Sequence, residues 1–516
     1  MTDAVPGPAP APGPAAGSAP GSVGRDRRTH DARVWRLPVL VLVILSLLAA
    51  GLVDRAVRSR PEFSPAIPAS LAAPVGAESS NWYCAAGTGT PGGAAGGTLY
   101  LVNVGPHVVT GKMTVVNESG DSGTLPVSVP AGGEITAVPG DVVHGNWLSS
   151  TVALDGGGVT VSEMVDGSQG WAEDACASTT SPSWYFASGS TGNGSTLYVS
   201  LYNPTTTVAV VDLTFVTPDG LSMPPPFEGL VLAPGRLVVA GVASYVQDQP
   251  SVSTIVQARS GRVVAEEIEE HAVGGVSGLS LRLGSPAPEA KWILPRTVDV
   301  TGGRTEMVVL NPSSAPQRVA VHIKLASGPV APYVHEIPSH TTWTLVTSSL
   351  IRIPLSTDYA VTVTSSGGPG VVVGRVIQSS SAGVAPQWGA VNAVPAVVAT
   401  VPSEQWVLPS PAAPASPISV PDTQVEPVAL ALENPGGRAV NVSMLEVAPA
   451  GDHHLAHLPV LRIPPGSFTV VEPTTLKPAG SHPLFLRSNG PLVAMEDGSP
   501  AGVAGVVSLA AIPLGK

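Results

Sequence analysis

At 516 residues the chain is long enough for several hydrophobic cores, and 43% of it is hydrophobic. Charged residues make up only 12%, the formal net charge is −12, and five of the 25 basic residues are lysines. That balance excludes a partner demanding clustered Lys and Arg, nucleic acid above all.

The chain opens on a Pro-, Ala- and Gly-rich stretch, residues 1–33, without apolar periodicity, which reads as a disordered cytoplasmic tail. An uncharged run from Leu37 to Val53 follows Trp35 and Arg36 and predicts one transmembrane helix within 34–53. Arg25, Arg27, Arg28, Arg33 and Arg36 precede it; Asp54, Arg55, Arg58 and Arg60 follow it, so the N-terminal side is expected in the cytoplasm. A cleaved signal peptide is the competing reading, but the leading region is long for one and no small-x-small site follows the apolar core. Residues 54–78, rich in Pro, Ala and Ser, read as a stalk. The expected localisation is the plasma membrane, single-pass, with the C-terminal domains extracytoplasmic.

The remainder is self-similar. Trp82-Tyr83-Cys84, Trp184-Tyr185-Phe186, Trp292-Ile293-Leu294 and Trp406-Val407-Leu408 each precede an apolar run ending in Asn: Leu99 to Asn103, Leu197 to Asn203, Met307 to Asn311 and Val428 to Asn434. A period of about 100 to 115 residues equals one ordinary domain, giving units at 79–180, 181–288, 289–402 and 403–516. In the second unit, Trp184–Ala187, Leu197–Asn203, Val208–Val216, Phe227–Ala233, Arg236–Val242, Val252–Arg259 and Val263–Ile268 read as short strands between turn signals. The predicted fold class is all-β: four tandem antiparallel β-sandwich (immunoglobulin-like) repeats after one N-terminal transmembrane helix. A single closed propeller of four units is the alternative. The Trp of each first strand reads as a core plug between sheets. Recurrent turns at Ala131-Gly132, Pro234-Gly235, Pro338-Ser339 and Pro465-Gly466, and a recurrent small residue at Ser162, Ala265, Gly374 and Ala494, complete the template.

Cys84 and Cys176 lie near the two ends of the first unit and are the chain's only cysteines. Outside the cytoplasm they would form a disulfide closing a loop of about 90 residues, worth about 4 to 5 kcal/mol in the chain-entropy picture; two buried free thiols are the alternative. Gly120-Asp121-Ser122-Gly123 resembles a serine-protease nucleophile loop but falls at a hairpin turn, without the matching histidine context. Asp452-His453-His454 with His457 offers imidazoles to a metal but reads as a solvated turn. Glu266, Glu267, Glu269 and Glu270 sit on one predicted strand, whose alternating faces suit a charged edge better than a calcium loop. Gly87 to Gly97 lacks the Lys-Ser or Lys-Thr of a phosphate loop. No catalytic, metal or cofactor site is read.

Trp184-Tyr185-Phe186-Ala187, Gly189-Ser190-Thr191, Leu201-Tyr202-Asn203-Pro204 and Val264-Ala265-Glu266 together resemble a repeated module of uncharacterised secreted and membrane-anchored actinobacterial proteins. The likeness covers about residues 80–516 and is strongest in the second unit; the Glu after the small residue recurs as Glu163 and Glu266 but is Arg375 and Met495 later. The resemblance implies no established activity. The expectation is a non-enzymatic envelope scaffold or protein-binding module, its partners an envelope protein or cell-wall glycan. A carbohydrate-binding protein is the alternative, and an envelope hydrolase the weaker one.

Overall fold

The computed structural model describes residues 41–46, 68–89, 95–192, 194–299, 301–379, 387–395, 404–409, 429–447, 460–471, 483–498 and 507–515. The chain divides into two compact units, Met1–Ser64 and Pro65–Lys516. In the first, residues 41–46 are helical and the side chains of Val41 to Leu45 are exposed. Among the described residues no helix is long and apolar enough to cross a membrane. The rest of the 34–53 span, the 1–33 tail, and Asp452, His453, His454 and His457 lie outside the described residues.

The second unit is all-β and its sheets are antiparallel within each stretch of chain. In residues 80–177 one sheet runs in the order Ser80–Cys84, Leu148–Leu154, Val109–Asn117, Ser122–Val129. The other runs Gly133–Ala137, Gly96–Asn103, Val159–Gly167, Gly170–Ala175. The same order returns in residues 183–285. There Ser183–Phe186, Ser253–Ser260 and Ala209–Thr217 form the first sheet, edged by the short strands Gly220–Ser222 and Leu230–Leu232. Arg236–Gly241, Ser195–Asn203, Val264–Val273 and Val276–Leu283 form the second. Residues 291–395 and 405–513 follow the same order. The second sheets of the 183–285 and 291–395 stretches merge into one of eight strands through a parallel pairing of Ser277 with Gln387.

Period-two patterning explains the cores: along Ser195–Asn203, Leu197, Val199 and Leu201 are fully buried while Thr196 and Tyr198 are less so. Trp82, Trp184, Trp292 and Trp406 are each at most 1% exposed and face the opposite sheet's residues in the hydrophobic clusters. The indole N–H of Trp184 donates to the Val263 carbonyl (2.8 Å), and that of Trp292 to Val371 (2.7 Å).

The recurrent Asn has one job, done four times. Nδ2 of Asn103, Asn203, Asn311 and Asn434 donates to the carbonyl four residues on (His107, Thr207, Ala315, Arg438; 2.7–2.8 Å). It donates again to the end of a neighbouring strand at Val129, Leu232, Ile337 and Ile463. Oδ1 accepts the N–H two residues on, from Gly105, Thr205, Ser313 and Gly436. A carboxamide alone offers two donors and an acceptor without charge, so it can be fully buried and satisfied.

Successive stretches also pack on one another. Ala85, Val116 and Ala177 belong to the core around Trp184. Ala187 and Val216 join the core around Trp292, as do Val493 and Met495 of the last stretch. Val407, Phe485 and Ile512 return to the core around Trp82, so the fourth stretch closes on the first.

Residues 68–78 depart from the stalk expected at 54–78. Ala72 is fully buried, its N–H donates to Pro513 and its carbonyl accepts from Gly515; Gly158 donates to Ala73 and Ser178 to Ala69. Small side chains and a backbone matched to strand ends at the first–fourth join let this segment fold, where composition alone reads as a solvated linker.

Candidate functional site

The last strand of each second sheet, Gly170–Ala175, Val276–Leu283, Gln387–Asn392 and Val507–Ala510, borders one common space. Together they contribute to the wall of a cavity of about 120 Å³. Leu281, Leu283, Trp292, Val391 and Ala510 make it mostly apolar, and Ala69 and Ser70 of the N-terminal segment complete it. Asp174 is its acid. Its carboxylate accepts the N–H groups of Leu283 (2.8 Å) and Ala175 (2.7 Å). Burial pushes its pKa up to about 6, against the pull of those amides and of Arg282. Asn392 donates to the Leu283 carbonyl (2.7 Å), while its Oδ1 has no partner among the described residues.

Buried carboxyls lie on these strands and on the strands paired with them. The acidic run at Glu266 to Glu270 is not at an edge: Val264–Val273 pairs on both sides, with Ser195–Asn203 and with Val276–Leu283. Glu266, Glu267 and Glu269 are at most 2% exposed. Arg282 reaches Glu267 and Glu269 at 3.1 Å each. Burial still raises both acids to about 7, the arginine only partly offsetting it. Glu266 and Glu163 meet across the join of the first two stretches and share a hydrogen bond; the Ala85 N–H also donates to Glu266 (2.9 Å). Desolvation raises both, Glu266 to about 8, and two carboxyls in that space hold a shared proton. Glu173, bound by Ser162 Oγ (2.7 Å), is raised to about 8 by burial and then by Glu496 across the first–fourth join; burial raises Glu496 to about 8. At the third–fourth join the equivalent position is Arg375, which contacts Asp497, the Arg296 carbonyl, Thr297 and Ser508.

Cys84 and Cys176 are joined in a disulfide, both fully buried. Their sulfurs and the Glu163 carboxylate lie within 4.8 Å of one another, but disulfide sulfurs carry no charge to offer a metal. Gly120 and Asp121 lead from the hairpin turn into the strand Ser122–Val129 and are tied to Asn117, whose side chain bonds the Asp121 amide and carboxylate.

Residues 149–346 match the model of a family of unknown function (DUF5719). No curated protein matches the chain. Among solved structures, Thermotoga maritima 1070 is 16% identical over 21% of this chain and 95% of its own, with a TM-score of 0.19. The Anabaena sensory rhodopsin transducer is 22% identical over 17% of this chain and 94% of its own, TM-score 0.16. A tetra-tandem repeat from the extending region of a large adhesion protein is 12% identical over 82% of this chain and 96% of its own, TM-score 0.11.

A second cavity, of about 160 Å³, opens where the inner sheets of the second and third stretches merge. Its floor is one face of the eight-stranded sheet, because Arg304 pairs with Gln378 and Gln378 with Trp388. Glu269 and His271 bound it from the other stretch, under a roof of Ser188–Ser190 and Pro250–Ser251. His271 stacks on Trp388 with centroids 5.0 Å apart and takes a hydrogen bond with Ser195 Oγ at 2.8 Å.

The sequence reading missed Asp174 at the first cavity, Arg282 beside Glu269, and Trp388 at the second. Arginines inside otherwise apolar strands, as in Leu279-Ser280-Leu281-Arg282-Leu283, were the available signal, since a charge there needs a buried partner.

Proposed function

We propose that the chain is a non-enzymatic, membrane-anchored extracytoplasmic protein, built from four tandem copies of an immunoglobulin-like antiparallel β-sandwich, that serves as a cell-envelope scaffold or protein-binding module. The fourfold reading is supported by the strand order, the buried Trp and the Asn brace recurring in each stretch. The observation that carries the non-enzymatic reading is where the acids go: Glu163, Glu173, Glu266 and Glu496 are walled into the joins between stretches, where they cement the array. The disulfide supports an oxidising compartment, and the arginine excess before the apolar run supports an uncleaved N-terminal anchor with its tail in the cytoplasm. A composition rich in Ala, Gly, Pro and Val, poor in Lys, suits a high-GC actinobacterium.

Protease added to intact cells tests the topology: the β-rich part should be digested without lysis, and protection until lysis would overturn the reading. Crosslinking in intact cells should capture an envelope protein; retention on purified wall polysaccharide would favour the second reading, a carbohydrate-binding protein. That alternative is favoured by the polar cleft beside Trp388.

A further inference from the structure

The cleft between the second and third stretches carries unmet hydrogen-bonding capacity. Glu269 is 0% exposed and lines the cleft; Oε2 is taken by Arg282 (3.1 Å), and although the Ser190 amide favours its ionised form, Oε1 has no hydrogen bond of its own. Ser188, 2% exposed and also lining it, has an Oγ without a partner. Buried polar atoms left without a partner beside this space are costly unless something occupies it.

The chemistry of the walls narrows the occupant. Glu269 shares Arg282 with Glu267, and Arg304 is balanced by Glu306, so the walls hold no excess positive charge to draw an anion. Carboxylate, carboxamide and hydroxyl acceptors stand beside guanidinium and amide donors, which suits a ligand whose groups both donate and accept. The Trp388–His271 stack supplies an apolar aromatic edge. At about 30 Å³ of liquid volume per water, the 160 Å³ present correspond to about five waters, the scale of one pyranose ring. Arg304, 57% exposed in its side chain, leaves the rim open to solvent.

We propose that this cleft binds one neutral sugar ring of an envelope glycan, its apolar face against Trp388 and its hydroxyls on Glu269, Ser188, Gln378 and the Arg304–Glu306 pair. The inference rests on the second, carbohydrate-binding reading and gives it a place and a ligand class.

Calorimetric titration of the full chain, held in a detergent without a sugar headgroup, tests it with glucose, galactose, mannose, arabinose and N-acetylglucosamine as probes. At least one should bind with a Kd of about 1 mM or tighter. Gln378→Ala and Arg304→Ala, at the rim and away from the cores, should each weaken it at least about tenfold; Trp388→Ala should abolish it, and Tyr245→Ala, on another surface, should leave it unchanged. Absence of binding by every probe, or wild-type binding by both rim variants, overturns the assignment. Equal retention of wild type and rim variants on wall polysaccharide would also overturn this cleft while leaving the envelope-binding role standing; failure to crosslink any envelope component would overturn that role separately.

Discussion

The first stretch and the three that follow close the same seam by different means. Tyr83 pairs with Ala177, Tyr185 with Ser285, Ile293 with Val394 and Val407 with Ile512. The residues beside those pairs are Cys84 and Cys176, then Phe186 and Gly284, Leu294 and Ala393, Leu408 and Ala511. Where the first stretch has a covalent bond, the others set a large apolar side chain against a small one. The fit is tight at Gly284, where an added Cβ would stand 2.8 Å from Phe186 Cζ. Complementary packing and a disulfide are thus alternative closures of one seam, and only the disulfide depends on an oxidising surrounding.

The largest effect comes from breaking the covalent closure. Cys84→Ala with Cys176→Ala frees a sequence separation of 92 residues and should lower stability by about 4 to 5 kcal/mol in the chain-entropy picture. A lower melting temperature and faster proteolysis within 80–177 would report it. Cys84→Leu with Cys176→Ala reproduces the Leu294–Ala393 pair and should recover part of the loss. If it melts no higher than the double-alanine variant, the two closures are not interchangeable.

The joins between stretches show a second contrast, shared protons at the first and an arginine–aspartate contact at the third–fourth. Glu173, Glu266 and Glu496 have folded-state values of about 8, above the unfolded value of about 4.3. The folded chain therefore binds more protons between those limits. Their contribution to stability is complete below about pH 4 and is lost as pH rises toward 8. Glu266→Gln keeps an acceptor for the Ala85 N–H and needs no proton, so its melting temperature should exceed wild type at pH 8 and match it more closely at pH 5. Parallel shifts of both proteins across that range would refute the shared-proton account.

How much of this was legible in the sequence follows from range. The buried Trp, the Asn ending the second strand and the period-two runs are local signals, and they located most strands of the second stretch to within a few residues. The last strand, Val276–Leu283, was not read because Gly274, Gly275 and Gly278 interrupt the apolar pattern, although the first two make a hairpin turn and the third lies in the strand. Folding the chain back about Gly274-Gly275 sets Arg282 opposite Glu267, and that register would have turned an apparent solvated acidic edge into a buried ion pair. The Glu163–Glu266 contact has no such local trace: it depends on how two stretches dock. The docking of Ala72 against Pro513 is hidden for the same reason.

A smaller effect sharpens the seam comparison from the other side. Gly284→Ala in the second stretch makes the small partner equal to Ala393 and Ala511 while Phe186 remains larger than Leu294 or Leu408. Overpacking of this kind should cost about 1 to 3 kcal/mol. Adding Phe186→Leu should relieve it, and a double variant melting below Gly284→Ala alone would show that ring shape, not volume, governs the fit.

The smallest effect concerns the turn that leads into the edge strand of each inner sheet. Its left-handed residue is Gly132 (φ 57°), Gly235 (φ 67°) and Gly466 (φ 59°), but His340 (φ 51°) in the third stretch. The equivalent position there is one residue beyond the Pro338-Ser339 pair that the sequence aligns with Pro234-Gly235. The His340 N–H donates to Ser313 as the Gly132 N–H donates to Gly105. A side chain in this region costs about 1 to 2 kcal/mol, whereas glycine adds unfolded-state entropy worth about 0.4 to 1 kcal/mol. His340→Gly should therefore raise stability by about 0.5 kcal/mol, read as a small rise in melting temperature. A fall instead would mean that the imidazole itself braces the turn, and that the third stretch departs from its siblings by adaptation rather than by tolerated strain.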